Sequence, residues 1–263
     1  MVAHGRGYGL LMSGQPTTKL SFVTCASSLE VLGERLLSSP CLRSEGYPLS
    51  VFFNASSAAQ GFNAAMVAAS DATDPLQAGF SWLIWVHQDV FLPQGWDTRF
   101  KQALKAALAK FPKLSVVGAY GVAGAGPDAL RAGHVLDRGA LLQEPAPLPC
   151  LVDSLDELLF AVRVDVGLRL DPALGFDFYA TDLVLQAQAQ GWQCAAVDAF
   201  CEHWSGTPSS GEVSSAIVAR IQASARVFEH KWSARLPVTT PCFPIDRPGS
   251  VASFIAAHVT AVP

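Results

Sequence analysis

The sequence predicts an α/β protein in one domain, with a mostly parallel sheet flanked by helices. Three observations predict it. Short apolar, β-branched runs alternate with helical segments from residue 20 onward, half of the 263 residues are apolar, and residues 82–86 (Trp-Leu-Ile-Trp-Val) form an unbroken apolar run. A strand without polar alternation is covered on both faces, as a central strand between two helical layers must be.

Residues 1–19 carry glycines, a proline and no periodicity, so a flexible leader is expected ahead of the first strand. Residues 20–25 then read as that strand, and Ser27 and Ser28 offer N-caps for a helix over 29–37. The unit repeats: an apolar run at 49–53 ends at Asn54, and an alanine-rich helical segment follows over 58–69. The buried run at 82–86 stops at His87-Gln88-Asp89, and a helix over 96–110 and a strand over 114–117 continue the alternation.

Glycine and proline dominate residues 118–149, as in loops and short strands, before strand-like character resumes over 151–164. A helix over 183–190, a short strand over 195–197 and an amphipathic helix over 212–232 complete the pattern. No Ser/Gly-rich linker or internal repeat divides residues 20–235, and the tail, 236–263, is expected to pack on that domain or lie loose.

The charge balance narrows the ligands. With 18 Lys and Arg against 22 Asp and Glu, the net charge of −4 supplies no broad cationic surface, which argues against a nucleic-acid partner. A phosphorylated small molecule would have to be met locally, by a metal ion, a few basic side chains or backbone N–H groups. The six cysteines never form a C-x-x-C pair, so reduced thiols are expected rather than a zinc cage. No apolar run reaches the roughly 18 residues of a membrane span and no apolar signal core stands at the N-terminus, so a cytoplasmic protein without a membrane span is expected.

In open α/β sheets ligands gather beyond the carboxyl ends of the strands, which makes Asp89 the best-placed acid of the chain; the plain alternative is a turn or capping aspartate. A second polar strand end, Cys201-Glu202-His203-Trp204-Ser205-Gly206, offers an imidazole at His203, which alone would equally suit a hydrogen-bonded structural histidine. A carboxylate and an imidazole together suit Mn²⁺ or Mg²⁺, with diphosphate oxygens and water completing the shell. Asp182 stands at an apparent first helical turn and is the candidate general base, with Asp177 a rival; a carboxylate there also simply stabilises a helix N-terminus.

Taken together, residues 20–232 resemble the family-2 glycosyltransferases, and more narrowly the glycosyltransferase-like family named for a streptomycin biosynthesis protein. The most specific match is Trp85-Val86-His87-Gln88-Asp89-Val90-Phe91 with Pro93 and Gly95-Trp96, a variant of the Asp-x-Asp motif in which His87 replaces the first acid. The resemblance implies a GT-A fold and a nucleotide-sugar donor whose sugar passes, with inversion, to a hydroxyl acceptor. It implies metal binding by Asp89 and His203, and a base at Asp182, where Thr181 departs from the family's usual acid. It puts the donor nucleotide near Thr24, Cys25, Ala26, Ser27, Asn54, Asn63 and Gln88. Sugar or acceptor contacts fall to His87, Trp96, Asp177 and Trp204.

Two other functions stay open on the residues alone. One is a catalytically silent module of the same fold that recognises a glycan or a protein. The other is a metal-dependent hydrolase using His87, Asp89 and His203. The glycine-rich stretch 118–126 follows a strand but is no dinucleotide fingerprint, because Gly124 and Gly126 run into Pro127 instead of opening a helix; a loop lining the acceptor side is expected.

Overall fold

The computed structural model describes residues 18–71, 81–204 and 212–262, so residues 1–17 of the expected leader lie outside the described residues, as do Ser205 and Gly206. In chain order the strands that build the site are β1 (Lys19–Ala26), β2 (Leu49–Phe53), β3 (Ser81–Val86), β4 (Val90–Phe91), β5 (Leu114–Gly118), β6 (Tyr120–Ala123), β7 (Leu130–Asp137), β8 (Ala140–Gln143), β9 (Cys150–Leu151), β10 (Ser154–Leu155), β11 (Leu159–Arg163), β12 (Gln193–Ala196) and β13 (Cys201–His203). The α-helices are α1 (Leu29–Glu34), α2 (Pro40–Ser44), α3 (Ala58–Asp71), α4 (Trp96–Lys110), α5 (Tyr179–Ala189), α6 (Ser215–Lys231) and α7 (Ser250–His258).

Seven strands form the main sheet in the order β2-β1-β3-β11-β5-β12-β9. The α/β class is therefore as expected, whereas the strand directions are not uniform. β1 runs parallel to β2 and β3, and β12 to β5, but β11 is antiparallel to both of its neighbours and β9 to β12. The stretch expected to be strand-like at 151–164 thus returns between β3 and β5 from the opposite end. That reversal puts Leu158, at the entry to β11, beside the exit of β3, where the His87 N–H donates to the Leu158 carbonyl at 2.9 Å.

The short strands expected in residues 118–149 are β6, β7 and β8, and they join a second sheet, β10-β6-β7-β13-β4 with β8 beside β7. Its glycines serve close approach. A Cβ at Gly121 would stand 2.5 Å from the Ser154 carbonyl oxygen, and Gly133, at φ +148°, would bring one within 2.6 Å of the Ala119 carbonyl oxygen.

Helix packing follows the apolar spacing. α4 buries Trp96, Phe100, Leu104 and Ala107 along one stripe, and Trp96 stacks on Phe100 at 4.7 Å. α1 starts where Ser28 accepts from the Val31 N–H, and it stops after six residues, a 3₁₀ turn (Leu36–Ser38) taking the rest of the expected helix. The expected helices over 183–190 and 212–232 are α5, which begins four residues earlier, and α6, whose first expected residues instead form the short strand Glu212–Ser214.

The tail is packed. Val238, Ile245, Val251 and Ile255 bury against Leu174, Phe178, Leu185 and Phe228 in a core of their own. Among the described residues, no helix is long and apolar enough to cross a membrane.

Candidate metal centre and cleft

Because β1, β2 and β3 are parallel and in register, Ala26, Phe53 and Val86 end at one edge of the sheet. The residues that follow, Ser27, Asn54 and His87 to Asp89, line a cleft of about 420 Å³ there, together with Tyr179 of α5 and Arg220 of α6. The second sheet completes the edge. β13 pairs with β4 so that His203 lies opposite Val90, and with β7 so that His203 lies beside Asp137. The Trp204 N–H closes the arrangement on the Asp89 carbonyl at 3.0 Å.

Two distant segments thereby converge as the sequence suggested. His203 Nε2 lies 3.4 Å from Asp89 Oδ1, and His87 Nδ1 lies 4.0 Å from the same oxygen. One ligand atom from each of His87, Asp89 and His203 falls within 4.8 Å of the others. Outside this trio, His203 Nδ1 meets Asp137 Oδ1 at 2.8 Å and His87 Nε2 meets the Tyr179 hydroxyl at 2.9 Å.

The electrostatics of the two histidines diverge. Burial lowers the affinity of His203 for its proton, but hydrogen bonds from Asp137 and Asp89 outweigh it, and the pKa rises to about 9. Burial, reinforced by His203, brings His87 down to about 4 despite Asp89. Asp89 and Asp137 are held below the ordinary carboxylate range: for Asp89 burial opposes the shift and the two histidines win, while for Asp137 the His203 hydrogen bond leads.

A pH prediction follows for the metal-free protein. His203 is raised above its unfolded value of 6.5, so its contribution is complete below pH 6.5 and is lost as pH rises through 9. Urea unfolding in the presence of a chelator is expected to lose on the order of 2 kcal/mol between these limits. In Asp137→Asn, which removes the closest partner of His203, that slope should fall by half or more.

The remaining expected site residues divide. Cys25, Ala26, Ser27, Asn54 and Gln88 line the cleft. The Gln88 amide is committed, accepting from the Ser27 and Ser28 N–H groups and donating to the Ser27 hydroxyl. Four further expected residues do not line the cleft. Thr24 is wholly buried, Trp96 is core, and both ends of the Asn63 amide are bound to the Leu170 backbone at 2.9 Å. Asp182 is the fourth: its side chain is 0% exposed and binds Trp232, Gln186 and Lys231, away from the cleft.

Asp177 accepts two bonds from Arg220, each at 3.0 Å, and a third from Ser224. It stands behind the cleft's guanidinium. Trp204 is 37% exposed, with the Arg35 guanidinium 4.5 Å above its ring. Sequence reasoning missed Asp137, Tyr179 and Arg220. The first lies in a glycine-rich stretch expected as loops and short strands, the second ahead of the helix expected over 183–190, and the third within the helix expected over 212–232.

These features define a mixed α/β protein with a cleft and a candidate metal centre at the carboxyl ends of its parallel strands. No protein-family model matches the chain. It is similar to a protein of Fuscovulum blasticum described as "ATP synthase subunits region ORF 6", with 32% identity over 151 residues, covering 48% of this chain and 57% of that protein. The chain thus matches little more than half of that relative's length, and the relative's description names no reaction or ligand.

Proposed function

We propose that this chain is a metal-dependent glycosyltransferase of the GT-A kind, taking a sugar from a nucleotide-diphosphate donor to a hydroxyl acceptor with inversion. One observation carries the reading: the cleft at the carboxyl ends of β1, β2 and β3 is lined both by His87 and Asp89, which cluster with His203, and by Arg220. A diphosphate needs cationic partners on two sides, and a nucleoside needs a groove at a strand edge. Both requirements meet in one cleft.

The donor chemistry fits a divalent ion. Asp89 and His203 would hold Mn²⁺ or Mg²⁺, which supplies charge neutralisation to a leaving diphosphate. Arg220 sits where it can share its guanidinium between Asp177 and a phosphate oxygen. Ser27 and Asn54 border the part of the cleft left for the nucleoside. The alternative is a donor-binding module without turnover, and the position of Asp182 supports it, because the carboxylate expected to take the acceptor's proton is buried and does not line the cleft.

Calorimetry with UDP-, GDP- and dTDP-sugars in the presence of Mn²⁺ tests the proposal. At least one donor is expected to bind, and Arg220→Ala should weaken it about tenfold. Product analysis then separates the readings: a glycosylated acceptor supports the transferase, and bound donor without turnover supports the module. Free sugar with water as the sole acceptor would mark a hydrolase. If no donor binds with the metal present, both donor-site readings fail.

A further inference from the structure

The two-ligand arrangement just described leaves His87 without a role, yet its ring faces Asp89 beside His203. We propose that His87 Nδ1, Asp89 Oδ1 and His203 Nε2 together form a three-ligand face that binds a borderline divalent ion of the Mn²⁺, Co²⁺ or Zn²⁺ kind without help from nucleotide. Asp137 and Tyr179 are its positioning residues. The inference shares the metal site with the reading above but does not depend on sugar transfer.

The hydrogen bonds around His87 carry the argument. Its Nε2 lies 2.9 Å from the Tyr179 hydroxyl, and that hydroxyl lies 3.5 Å from the Glu157 carbonyl oxygen. A carbonyl can only accept, and in the tautomer where the tyrosine donates to Glu157 the hydroxyl accepts from His87 Nε2–H. The other nitrogen, Nδ1, is then the bare one. It points its lone pair at Asp89 Oδ1, 4.0 Å away, where two acceptors face each other with no hydrogen between them. A cation between them resolves that opposition.

His203 is arranged in the same sense. Its Nδ1 is held by Asp137 at 2.8 Å, which turns Nε2 toward Asp89. Each imidazole therefore has its outer nitrogen engaged and its inner nitrogen aimed at one carboxylate oxygen, the usual way in which metal-binding histidines are oriented. A solvated ion-pair cluster would account for His203 between two carboxylates. In such a cluster His87 Nδ1–H would face Asp89 across 4.0 Å, longer than a hydrogen bond.

Ligand type sets the preference. Two imidazoles and one carboxylate favour borderline ions, whereas Mg²⁺ prefers oxygen donors and keeps much of its water. Three separations of 3.4, 4.0 and at most 4.8 Å close on one ion at about 2.1 Å with modest side-chain adjustment. The open side of the ion would face the cleft.

The test titrates chelator-stripped protein with Co²⁺ alone, following the visible absorption of the bound ion together with calorimetry. One Co²⁺ per chain is expected, with Mg²⁺ at least about a hundredfold weaker. His87→Gln should weaken Co²⁺ at least about a hundredfold, and Asp137→Asn roughly ten- to a hundredfold with a shifted absorption spectrum, a change that a purely structural role would not produce. Thermal unfolding confirms that the variants fold. Unchanged Co²⁺ affinity in His87→Gln, or Mg²⁺ matching Co²⁺, would overturn the proposal. Binding that appears only once UDP is added would also overturn it while leaving the two-ligand donor site standing, and no binding in either condition would sink both.

Discussion

Asp89→Ala is expected to abolish metal-dependent donor binding, with a loss of at least about a thousandfold in ion affinity and no comparable change in the fold. The reason is geometric. Asp89 Oδ1 is the atom to which both imidazoles are directed, at 3.4 and 4.0 Å, so its removal takes away the one anionic ligand of the trio. The carboxylate is held below its ordinary pKa by its two histidines, against burial, and is therefore ionised and ready to bind at neutral pH. The contact that ties this segment to β13 is made by the Asp89 carbonyl, which alanine retains. Calorimetry with Mn²⁺ alone, and then with a nucleotide-sugar, measures the effect. Affinity within about tenfold of the original protein would remove Asp89 from the ion site.

The fold was legible where burial dictates residue type. Residues 82–86 could be placed as a central strand because a doubly covered strand admits no polar residue, and that is where β3 lies. The helix at 96–110 matched α4 at both ends, since a stripe of large apolar residues marks helical period directly. Strand direction was not legible. The apolar run of β11 reads the same in either direction, and only the connections decide that it enters from the far end. Residues 118–149 misled because glycine has two uses: Gly121 and Gly133 permit close strand approach, which in a bare sequence looks the same as a turn.

At the candidate site, strand ends were the useful signal. Asp89 follows a buried strand and lines the cleft, and His203 ends another strand and comes within 3.4 Å of Asp89. Three other residues of the site gave no such signal. Asp137 closes a strand hidden in the glycine-rich stretch, Tyr179 opens α5 and Arg220 lies within α6, so nothing in their neighbours distinguishes them from solvent-facing or core positions. Asp182 is the converse case. An acid in the first turn of a helix looks the same from sequence whether it faces a cleft or the next helix.

The fate of Asp182 leads to an expected result opposite to that of a catalytic base. Three donors converge on its fully buried carboxylate: Trp232 Nε1 at 2.7 Å, Gln186 Nε2 at 2.6 Å and Lys231 Nζ at 2.7 Å. Two of them belong to the end of α6 and the residue after it, so the carboxylate clamps α5 to α6 beneath the core shared with the tail. In Asp182→Ala the tryptophan donor loses its acceptor, Gln186 keeps the Arg169 carbonyl at 3.2 Å, and Lys231 keeps Asp171. Losing a buried, charged acceptor of hydrogen bonds costs about 2–3 kcal/mol, which should lower Tm by roughly 4–12 °C, since Lys231 is 31% exposed and keeps Asp171. Asp182→Asn should lose most of the same amount, because the amide offers one acceptor and sets an N–H₂ against donors. Well below the melting transition, both variants should bind Co²⁺ within about threefold of the original protein, since the carboxylate does not line the cleft. A variant of unchanged Tm with abolished turnover would restore Asp182 to the reaction and show that this clamp opens during catalysis.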